Sequence, residues 1–470
     1  MGSNMAECHP VGFQWVMEAK ERGAKVIHVD PRFTRTSAVA DLYVPIRAGS
    51  DIAFLGGIVH YILEHGREFR EYVARYTNAA VIVGDEFLDT EDLDGLFSGF
   101  DPATGTYDDR SWQYRGGGQH ERETDPTLTD PRCVFRLLER HYARYTPELV
   151  EDVCGVPRDL FLTVAEALCD ASGPDRTAAL CYAVGWTQHT VGVQYIRTAA
   201  IVQLLLGNIG RPGGGILALR GHASIQGSTD IPTLYNILPG YLPMPGPDID
   251  GLDDYLDRNA AKTGFWGRMD TYVVSLLKAW WGEAATVDNE FCFDYLPRIS
   301  GDHSTYPTTL AMIDGTVHGY FVMGENPAVG SANGKLQRRA LAAAEWLVVR
   351  DFSEIETASF WYDSPEIETG ELQTETIGTE VFFMPAAAHT EKDGSFTNTQ
   401  RLLQWHHQAI GPPGDARSEL WFMYHLGNRV RERLAGSTDP RDRPVLDRSP
   451  RAGRPRRSAR RAALRSGSAR

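Results

Sequence analysis

The chain has 470 residues, of which 42% are hydrophobic and 23% are charged, and its formal net charge is −15. This composition is globular with room for two or more domains, and no apolar run approaches the ~20 residues that cross a bilayer, so fibrous, wholly disordered and membrane-inserted chains are excluded. Residues 431–470 hold 13 Arg against 4 acids, which leaves the remaining chain strongly acidic and a poor surface for nucleic acid.

The first part of the chain alternates predicted helices and strands. His9-Pro10 predicts a helix start, because proline is tolerated in the first turn, and Gly23 predicts its end. Residues 26–29 are typical of a short buried strand that ends at Asp30. A second helix is expected to begin at Ser50-Asp51 and to run to about residue 64.

Residues 84–130 lose this periodicity, and we predict a long surface insertion there. The pattern then returns with further elements. We predict helices near 133–142 and 156–171, a strand at 178–184, a loop at 185–189, an apolar helix at 193–206 and a glycine-rich turn at 207–215.

The second half repeats this alternation after a stretch at 239–303 that we predict to be irregular. The predicted elements are a strand at 319–323, a loop at 324–327, a helix at 337–346 and a strand at 347–350 that ends at Asp351.

Each half contains a helix followed by a strand that ends at an Asp, and a Thr follows six residues after that Asp. These are Asp30 and Thr36 in the first half, and Asp351 and Thr357 in the second. Acids just past parallel strands lie where doubly wound sheets bind nucleotides, and a carboxylate can accept both hydrogen bonds of a guanine edge. The alternative is that each Asp only begins a turn. The pattern predicts two α/β units with mostly parallel sheets.

Two polar segments are candidates for chemistry. Arg220-Gly221-His222 follows a glycine-rich stretch, and a guanidinium there could bind a small carboxylate with two hydrogen bonds. A surface or ion-paired arginine is the alternative. The loop 185–189 offers hydroxyl, amide and imidazole groups, unless it is only a polar loop over a packed Trp186.

The cysteines indicate no metal site within this sequence. Their spacing fits no zinc or iron–sulfur pattern, so we expect free, mostly buried thiols. Cys8-His9 is better explained as a helix entry than as a ligand or nucleophile. The six are Cys8, Cys133, Cys154, Cys169, Cys181 and Cys292.

Six motifs occur in one order along the chain. They are Gly2-Ser3-Asn4-Met5-Ala6-Glu7-Cys8-His9-Pro10, Val29-Asp30-Pro31-Arg32-Phe33-Thr34-Arg35-Thr36, Gly49-Ser50-Asp51, Gly185-Trp186-Thr187-Gln188-His189, Leu219-Arg220-Gly221-His222 and Gly394-Ser395-Phe396-Thr397-Asn398. In this order the chain resembles the catalytic (alpha, or major) subunit of molybdopterin-dependent formate dehydrogenases of the respiratory type. The resemblance runs to about residue 430 and includes the insertion.

The resemblance implies an α/β fold with two doubly wound, mostly parallel-sheet domains of the molybdopterin oxidoreductase type. The expected division is a first dinucleotide-binding domain at 1–222, with the insertion at about 84–130, and a second α/β domain at 223–385. A segment at 386–435 would return toward the cofactor, and a basic, disordered tail would follow at 436–470.

The resemblance also implies a cofactor, bis(molybdopterin guanine dinucleotide) with molybdenum or tungsten, held between the two domains. Arg220 would hold formate, with His222 beside it, and no residue of this sequence is assigned to the metal. Backbone groups near pterin or phosphate would come from Gly2, Ser3, Asn4, Gly185, Trp186, Thr187 and Gln188. The guanine nucleotides and the rest of the cofactor would be bound by Asp30, Arg32, Ser50, Asp51, Gly221, Gly324, Glu325, Asn326 and Asp351.

Members of this family begin with a cysteine-rich module for a four-iron–four-sulfur cluster, followed by a metal-ligating selenocysteine or cysteine, and they end in a β-rich domain. Neither part is in this sequence, so we expect a central fragment. Residues after about 436 resemble an out-of-frame reading of GC-rich DNA, with a disordered basic tail as the alternative. If an in-frame UGA encodes selenocysteine, the upstream DNA contains a cysteine-rich reading frame.

By resemblance, the expected function is oxidation of formate to carbon dioxide, with electrons passed to an iron–sulfur subunit. A membrane cytochrome subunit is a further candidate partner. The family resemblance indicates the periplasmic face of a membrane, but this sequence carries no export signal, so the cytoplasm stays an alternative. A non-catalytic cofactor-binding module and an oxidoreductase acting on an oxyanion such as nitrate are also open. Arg220-Gly221-His222 and the insertion favour formate.

Overall fold

A computed structural model describes residues 1–117, 121–261, 264–398 and 401–448. The chain divides into two compact units, Met1–Gly221 and a second that begins at His222. The finer four-part division expected from the sequence stays a prediction. Most of the predicted basic tail lies outside the described residues, and its first part contains the short helix Arg443–Leu446.

The first unit contains two separate pairs of parallel strands. Ile27–Val29 pairs with Leu42–Val44, and Ala179–Tyr182 pairs with Gly215–Ala218. Parallel pairing requires a crossover, and a helical segment precedes the second strand in each pair. The strand at 215–218 was not predicted, because its sequence follows directly on a glycine-rich turn.

The helix Asp51–Glu64 lies at the centre of the first unit's apolar core. Phe54, Leu55, Val59 and Ile62 are completely buried on it, and burying each such side chain contributes about 1.5–3 kcal/mol. The helices of this unit are Met5–Cys8, Pro10–Glu21, Arg35–Val39, Asp51–Glu64, Arg70–Tyr76, Val134–Tyr142, Pro147–Cys154, Arg158–Asp170, Val184–Thr187 and Gly192–Leu205.

The predicted insertion at 84–130 has little regular structure among its described residues. It contains a short antiparallel hairpin, Phe100–Asp101 with Thr106–Tyr107, and one 3₁₀ turn, Asp109–Ser111. Most of its side chains are exposed. Isolated bridges such as Ile82 with Cys133 tie the ends of the segment to the core.

The second unit is built on a three-stranded parallel sheet. Trp346–Arg350 is the central strand, with Gly319–Met323 on one side and Glu380–Phe383 on the other. Leu347 and Val349 are completely buried in its core. The prediction placed Trp346 at the end of a helix, but the helix is Gly334–Ala343 and Trp346 begins the strand, where its ring covers Gly319.

The stretch 239–303 was predicted to be irregular, and that prediction was wrong. Two helices, Gly251–Asn259 and Met269–Trp281, surround a second apolar cluster that includes Tyr255 and Phe293. The unit's other helices are Ile225–Asp230, Thr305–Ile313, Pro327–Gly330, Glu356–Ser359, Pro365–Glu368 and Glu419–Arg433. Its antiparallel strand pairs are Ile237–Leu238 with Leu242–Pro243 and Gly394–Thr397 with Leu403–His406.

The predicted α/β class is confirmed, since the principal sheets of both units are parallel and covered by helices. The six cysteines are free, as expected, and four of them are buried. None of the helices in the described part of the chain is long and apolar enough to span a membrane.

Candidate functional site

The segment Gly2–Asn4 lies directly against the turn that follows strand Ala179–Tyr182. The carbonyl oxygen of Gly2 accepts hydrogen bonds from the backbone N–H groups of Ala183 and Gly185, at 3.2 and 3.1 Å. A Cβ atom at Gly185 would lie 2.6 Å from the Cα of Gly2. Only glycine allows this approach, so the structure brings together two segments that were predicted separately.

The turn itself is a short helix, Val184–Thr187, where the sequence predicted a loop. Trp186 is completely buried, and its indole N–H donates to Asp51 Oδ1 at 3.0 Å. Thr187 and Gln188 are exposed next to it. The tryptophan therefore anchors the turn while the two polar side chains remain accessible.

Ser50 and Asp51 use their side chains inside the first unit. Ser50 Oγ donates to the carbonyl oxygen of Arg47 at 2.6 Å, and Asp51 is occupied with the indole of Trp186. Burial raises the pKa of the Asp51 carboxyl above its usual range. Their assignment to a guanine nucleotide stays a prediction. In the structure Asp51 holds the Trp186 turn, and Ser50 contacts Arg47.

Asp30 lies at the end of strand Ile27–Val29, as predicted. Its Oδ1 accepts the backbone N–H of Arg32 at 2.8 Å, which starts a turn, and the hydroxyl of Tyr43 donates to its carbonyl oxygen at 3.1 Å. The carboxylate is partly exposed. Both interpretations of this acid, turn formation and ligand binding, are therefore compatible with its position.

His28 lies in strand Ile27–Val29 and contacts both the segment Gly2–Asn4 and the helix Arg35–Val39. Sequence reasoning missed this residue. Its Nε2 lies 2.9 Å from the carbonyl oxygen of Ser3, and its Nδ1 lies 2.8 Å from Ser37 Oγ. The ring is 4% exposed, and burial lowers the pKa of His28. A neutral ring that donates from Nε2 and accepts at Nδ1 satisfies both contacts.

A cleft of about 480 Å³ is lined mainly by residues 32–38, which follow Asp30 in the chain. Arg32 and Phe33 are exposed on it, and the Nε of Arg35 lies 3.4 Å from Glu7 Oε1. Two guanidinium groups and an exposed ring suit a ligand with both phosphate and a flat heterocycle. The lining residues are Glu7, Arg32, Phe33, Thr34, Arg35 and Ala38.

Arg220 lies on an exposed loop after strand Gly215–Ala218. Its guanidinium makes no hydrogen bond or ion pair with the described residues, while its carbonyl oxygen is 3.0 Å from His9 Nε2. The backbone is therefore fixed and the charged group is left open to a ligand. His9, which the sequence analysis explained only as a helix entry, is the residue that fixes it.

Gly221 and His222 follow Arg220 and are both exposed. The division between the two units falls between them. The backbone carbonyl of His222 accepts from Ile225 N at 3.3 Å. Its imidazole makes no hydrogen bond within the described part of the second unit.

In the second unit, Gly324–Asn326 lies at the carboxyl end of the parallel sheet. The N–H of Gly324 donates to the carbonyl oxygen of Arg350 at 3.0 Å, and the next residue, Asp351, accepts from Phe352 N at 2.7 Å. Glu325 is exposed and Asp351 partly so. The predicted residues of this unit are thus neighbours at one edge of the sheet.

The same hydrogen-bonded arrangement occurs once in each unit. In the first, Thr36 Oγ1 donates to Asn4 Oδ1 at 2.9 Å and accepts from Ala6 N at 3.0 Å. In the second, Thr357 Oγ1 donates to Asn326 Oδ1 at 2.7 Å and accepts from Ala328 N at 3.2 Å. The repeated Thr noted in the sequence therefore has a repeated partner, which sequence reasoning did not find.

A family model described as molybdopterin oxidoreductase matches residues 1–105 and 382–429. Formate dehydrogenase 2 subunit alpha (cytochrome c-553) of Nitratidesulfovibrio vulgaris is 44% identical over 456 residues, covering 95% of this chain and 44% of that relative. The nitrate-inducible major subunit of formate dehydrogenase from Escherichia coli K12 is 44% identical over 439 residues, covering 92% and 43%. The chain thus spans less than half the length of these curated relatives.

Among solved structures, acetylene hydratase from Pelobacter acetylenicus superposes with a TM-score of 0.45 at 16% identity, covering 89% of this chain and 44% of that one. A superposition this loose carries no weight for the fold or the function.

The residues present fit a molybdopterin cofactor. Ser3 Oγ and His189 Nδ1, in and beside the two touching segments, are buried and have no hydrogen-bond partner among the described residues, and such groups are unfavourable unless a ligand or a water satisfies them. No group of three or more His, Cys, Asp or Glu in the described ranges could hold a metal by itself. The chain is similar to molybdopterin oxidoreductases through the family model at residues 1–105 and 382–429, and to formate dehydrogenase alpha and major subunits along most of its length.

Proposed function

We propose that this chain is the cofactor-holding part of a formate dehydrogenase catalytic subunit. The observation that carries the proposal is Arg220. Its guanidinium has no partner among the described residues, and its backbone is fixed by His9. It lies in a chain that is 44% identical to formate dehydrogenase alpha subunits.

The proposed cofactor is bis(molybdopterin guanine dinucleotide) with molybdenum or tungsten. One guanine nucleotide would be bound in the first unit, near Asp30 and the cleft beside Arg32. The other would be bound in the second unit, by Gly324–Asn326 and Asp351. Two strand ends with the same polar chemistry support a cofactor that has two similar halves.

In this proposal Arg220 binds the two oxygens of formate through its planar guanidinium, which fixes the direction of the C–H bond. His222 is proposed as a second group beside the substrate. Formate is oxidised to carbon dioxide, one proton and two electrons, and the metal centre supplies the electron acceptor when it is bound. The contribution of this chain is to bind and orient the carboxylate.

The electrons then pass to an iron–sulfur subunit, and a membrane cytochrome subunit is a further proposed partner. The four-iron–four-sulfur cluster that the family carries would be ligated by residues outside this sequence. The periplasmic face of the membrane is the proposed location, since the resemblance is to respiratory enzymes.

The test is an Arg220→Lys variant, produced in cells that make the cofactor and assayed for formate-dependent dye reduction. Lysine keeps the charge but cannot bind both oxygens in one plane, so we expect turnover to fall by at least about 100-fold, since a bidentate clamp supplies several kcal/mol of orientation. Pterin and metal content should stay close to those of the unchanged chain. Arg75→Lys, on an exposed helix, is the matched control.

Full turnover in the Arg220→Lys variant would remove this residue from formate binding. Pterin and metal without any formate-dependent reduction in the unchanged protein would favour the non-catalytic module. Nitrate-dependent oxidation of a reduced dye would favour the oxyanion alternative.

A further inference from the structure

Each of the two glycine-bearing loops proposed to bind the cofactor is held by one buried threonine. Gly2 and Gly324 both adopt left-handed backbone conformations, with φ of +61° and +69°. Two residues after each comes an Asn that precedes a short helix, Met5–Cys8 or Pro327–Gly330. The threonine reaches this Asn from about thirty residues further along the chain.

In both units the threonine makes two contacts with the same loop. Its hydroxyl donates to the Asn side chain and accepts the N–H of the alanine two residues after that Asn. Thr36 is 5% exposed and Thr357 is completely buried. One buried hydroxyl therefore fixes both the side chain and the backbone of each loop.

A carboxylate completes each arrangement. The amide nitrogen of Asn4 donates to Glu7 Oε2, and that of Asn326 donates to Glu356 Oε2 at 2.6 Å. With Thr on the oxygen side and Glu on the nitrogen side, each Asn amide has one orientation. The two acids come from different places in the sequence, so the shared feature is the chemistry rather than the alignment.

We infer that Thr36 and Thr357 are positioning residues, each of which holds one loop in the geometry that one half of the cofactor requires. We call the two arrangements the Asn4–Thr36 and Asn326–Thr357 clamps. The inference rests on the proposed function and goes further, because it makes retention of the cofactor depend on one buried hydroxyl in each unit. Each guanine nucleotide is covalently joined to its pterin and both pterins would bind one metal, so loss of either clamp should lower retention of the whole cofactor.

The test is a pair of variants, Thr36→Val and Thr357→Val, in which the methyl replaces the hydroxyl at nearly constant volume. Hydrogen exchange is measured first. The amide of Ala6 should exchange about tenfold faster in Thr36→Val and the amide of Ala328 in Thr357→Val, because each amide loses its only hydrogen-bond acceptor in the clamp. The other unit's alanine should be unchanged in each case.

The second measurement counts the guanosine monophosphate released by acid hydrolysis, per chain. We expect two per chain in the unchanged protein and well under two in each Val variant, because the whole cofactor is retained less. Thr36→Ser and Thr357→Ser keep the hydroxyl and should restore both nucleotides. Thr198→Val and Thr309→Val remove buried hydroxyls elsewhere in the same two units and should keep both.

Two nucleotides in both clamp variants would overturn the inference and leave the proposed function standing. Equal losses in the Thr198→Val and Thr309→Val controls would also overturn it, since the effect would then be general destabilisation. If the unchanged chain holds no guanine nucleotide at all, the proposed function fails and the inference fails with it.

Discussion

At the scale of single residues, His28 shows how one buried ring can fix the position of a loop. It connects the backbone of Ser3 to Ser37 and lies in the strand that ends at Asp30. Its contacts use the neutral ring, and burial lowers the pKa of His28 below its ordinary value. Loop geometry and the protonation of this ring are therefore coupled.

This coupling predicts a loss of stability in acid. Because the pKa is lower in the folded chain than in the unfolded one, the unfolded chain binds more protons below about pH 6.5, and the free energy of unfolding falls as pH decreases from there. The loss from one such group is at most about 1.4 kcal/mol per pH unit. Urea denaturation of the chain at pH values between 8 and 5.5, followed through the unfolding of the first unit, measures this loss in the free energy of unfolding.

His28→Gln should make this pH dependence shallower, since the amide can still donate to Ser3 but does not titrate. His65→Gln, at an exposed ring, is the matched control and should keep the original slope. Burial also lowers the pKa of His141, so a smaller dependence remains in the His28 variant. An unchanged slope in His28→Gln would show that this ring is not the titrating group.

At the scale of elements, the contact between Gly2 and Gly185 is a close backbone approach within the candidate site. A side chain at Gly185 would meet the backbone of Gly2 on three atoms within 2.8 Å. Backbone cannot rotate away as a side chain can, so one of the two segments must move. The contact therefore sets the position of the Trp186 turn.

Gly185→Ala should lower the free energy of unfolding by about 1–3 kcal/mol. Gly221→Ala is the control for stability, because a Cβ there has no atom within 4 Å, and it should change stability by less than about 0.5 kcal/mol. Chemical denaturation of both variants at neutral pH gives the comparison. Equal stability of the two would mean that the segments separate without cost.

The sequence predicted those elements whose signals are local. The strand ends at Asp30 and Asp351 and the helices at Pro10–Glu21 and Asp51–Glu64 follow from short-range periodicity and capping. The two helices within 239–303 were missed although Met269, Val273, Leu277 and Trp281 recur every fourth residue, which is a helical signal. The surrounding Gly, Pro and Asp residues concealed it.

The candidate site residues were singled out in the sequence, but the contacts between them were not predicted. Gly2–Asn4 and Gly185–Gln188 were singled out from resemblance, yet their direct contact depends on how strand Ala179–Tyr182 packs. The Asn–Thr pairs are separated by 32 and 31 residues, so no local pattern reveals them. His9 and His28 were missed because a single histidine in sequence does not indicate its partner.

At the scale of the whole molecule, the two units contain the same Asn–Thr hydrogen-bonded arrangement near the end of a parallel strand. Each has a left-handed glycine, an Asn, an Asp and a buried Thr, in that order along the chain. Such repetition is expected of a protein that binds a ligand with two similar halves. We propose that formate binds at Arg220, at the end of the first unit.

We propose that the chain holds a molybdopterin guanine cofactor with one nucleotide in each unit. The most direct measurement is the amount of oxidised pterin and guanosine monophosphate released from the purified chain, produced in cells that make the cofactor. We expect two pterins and two guanosine monophosphates per chain. A folded chain that releases neither pterin nor guanosine monophosphate would contradict this proposal.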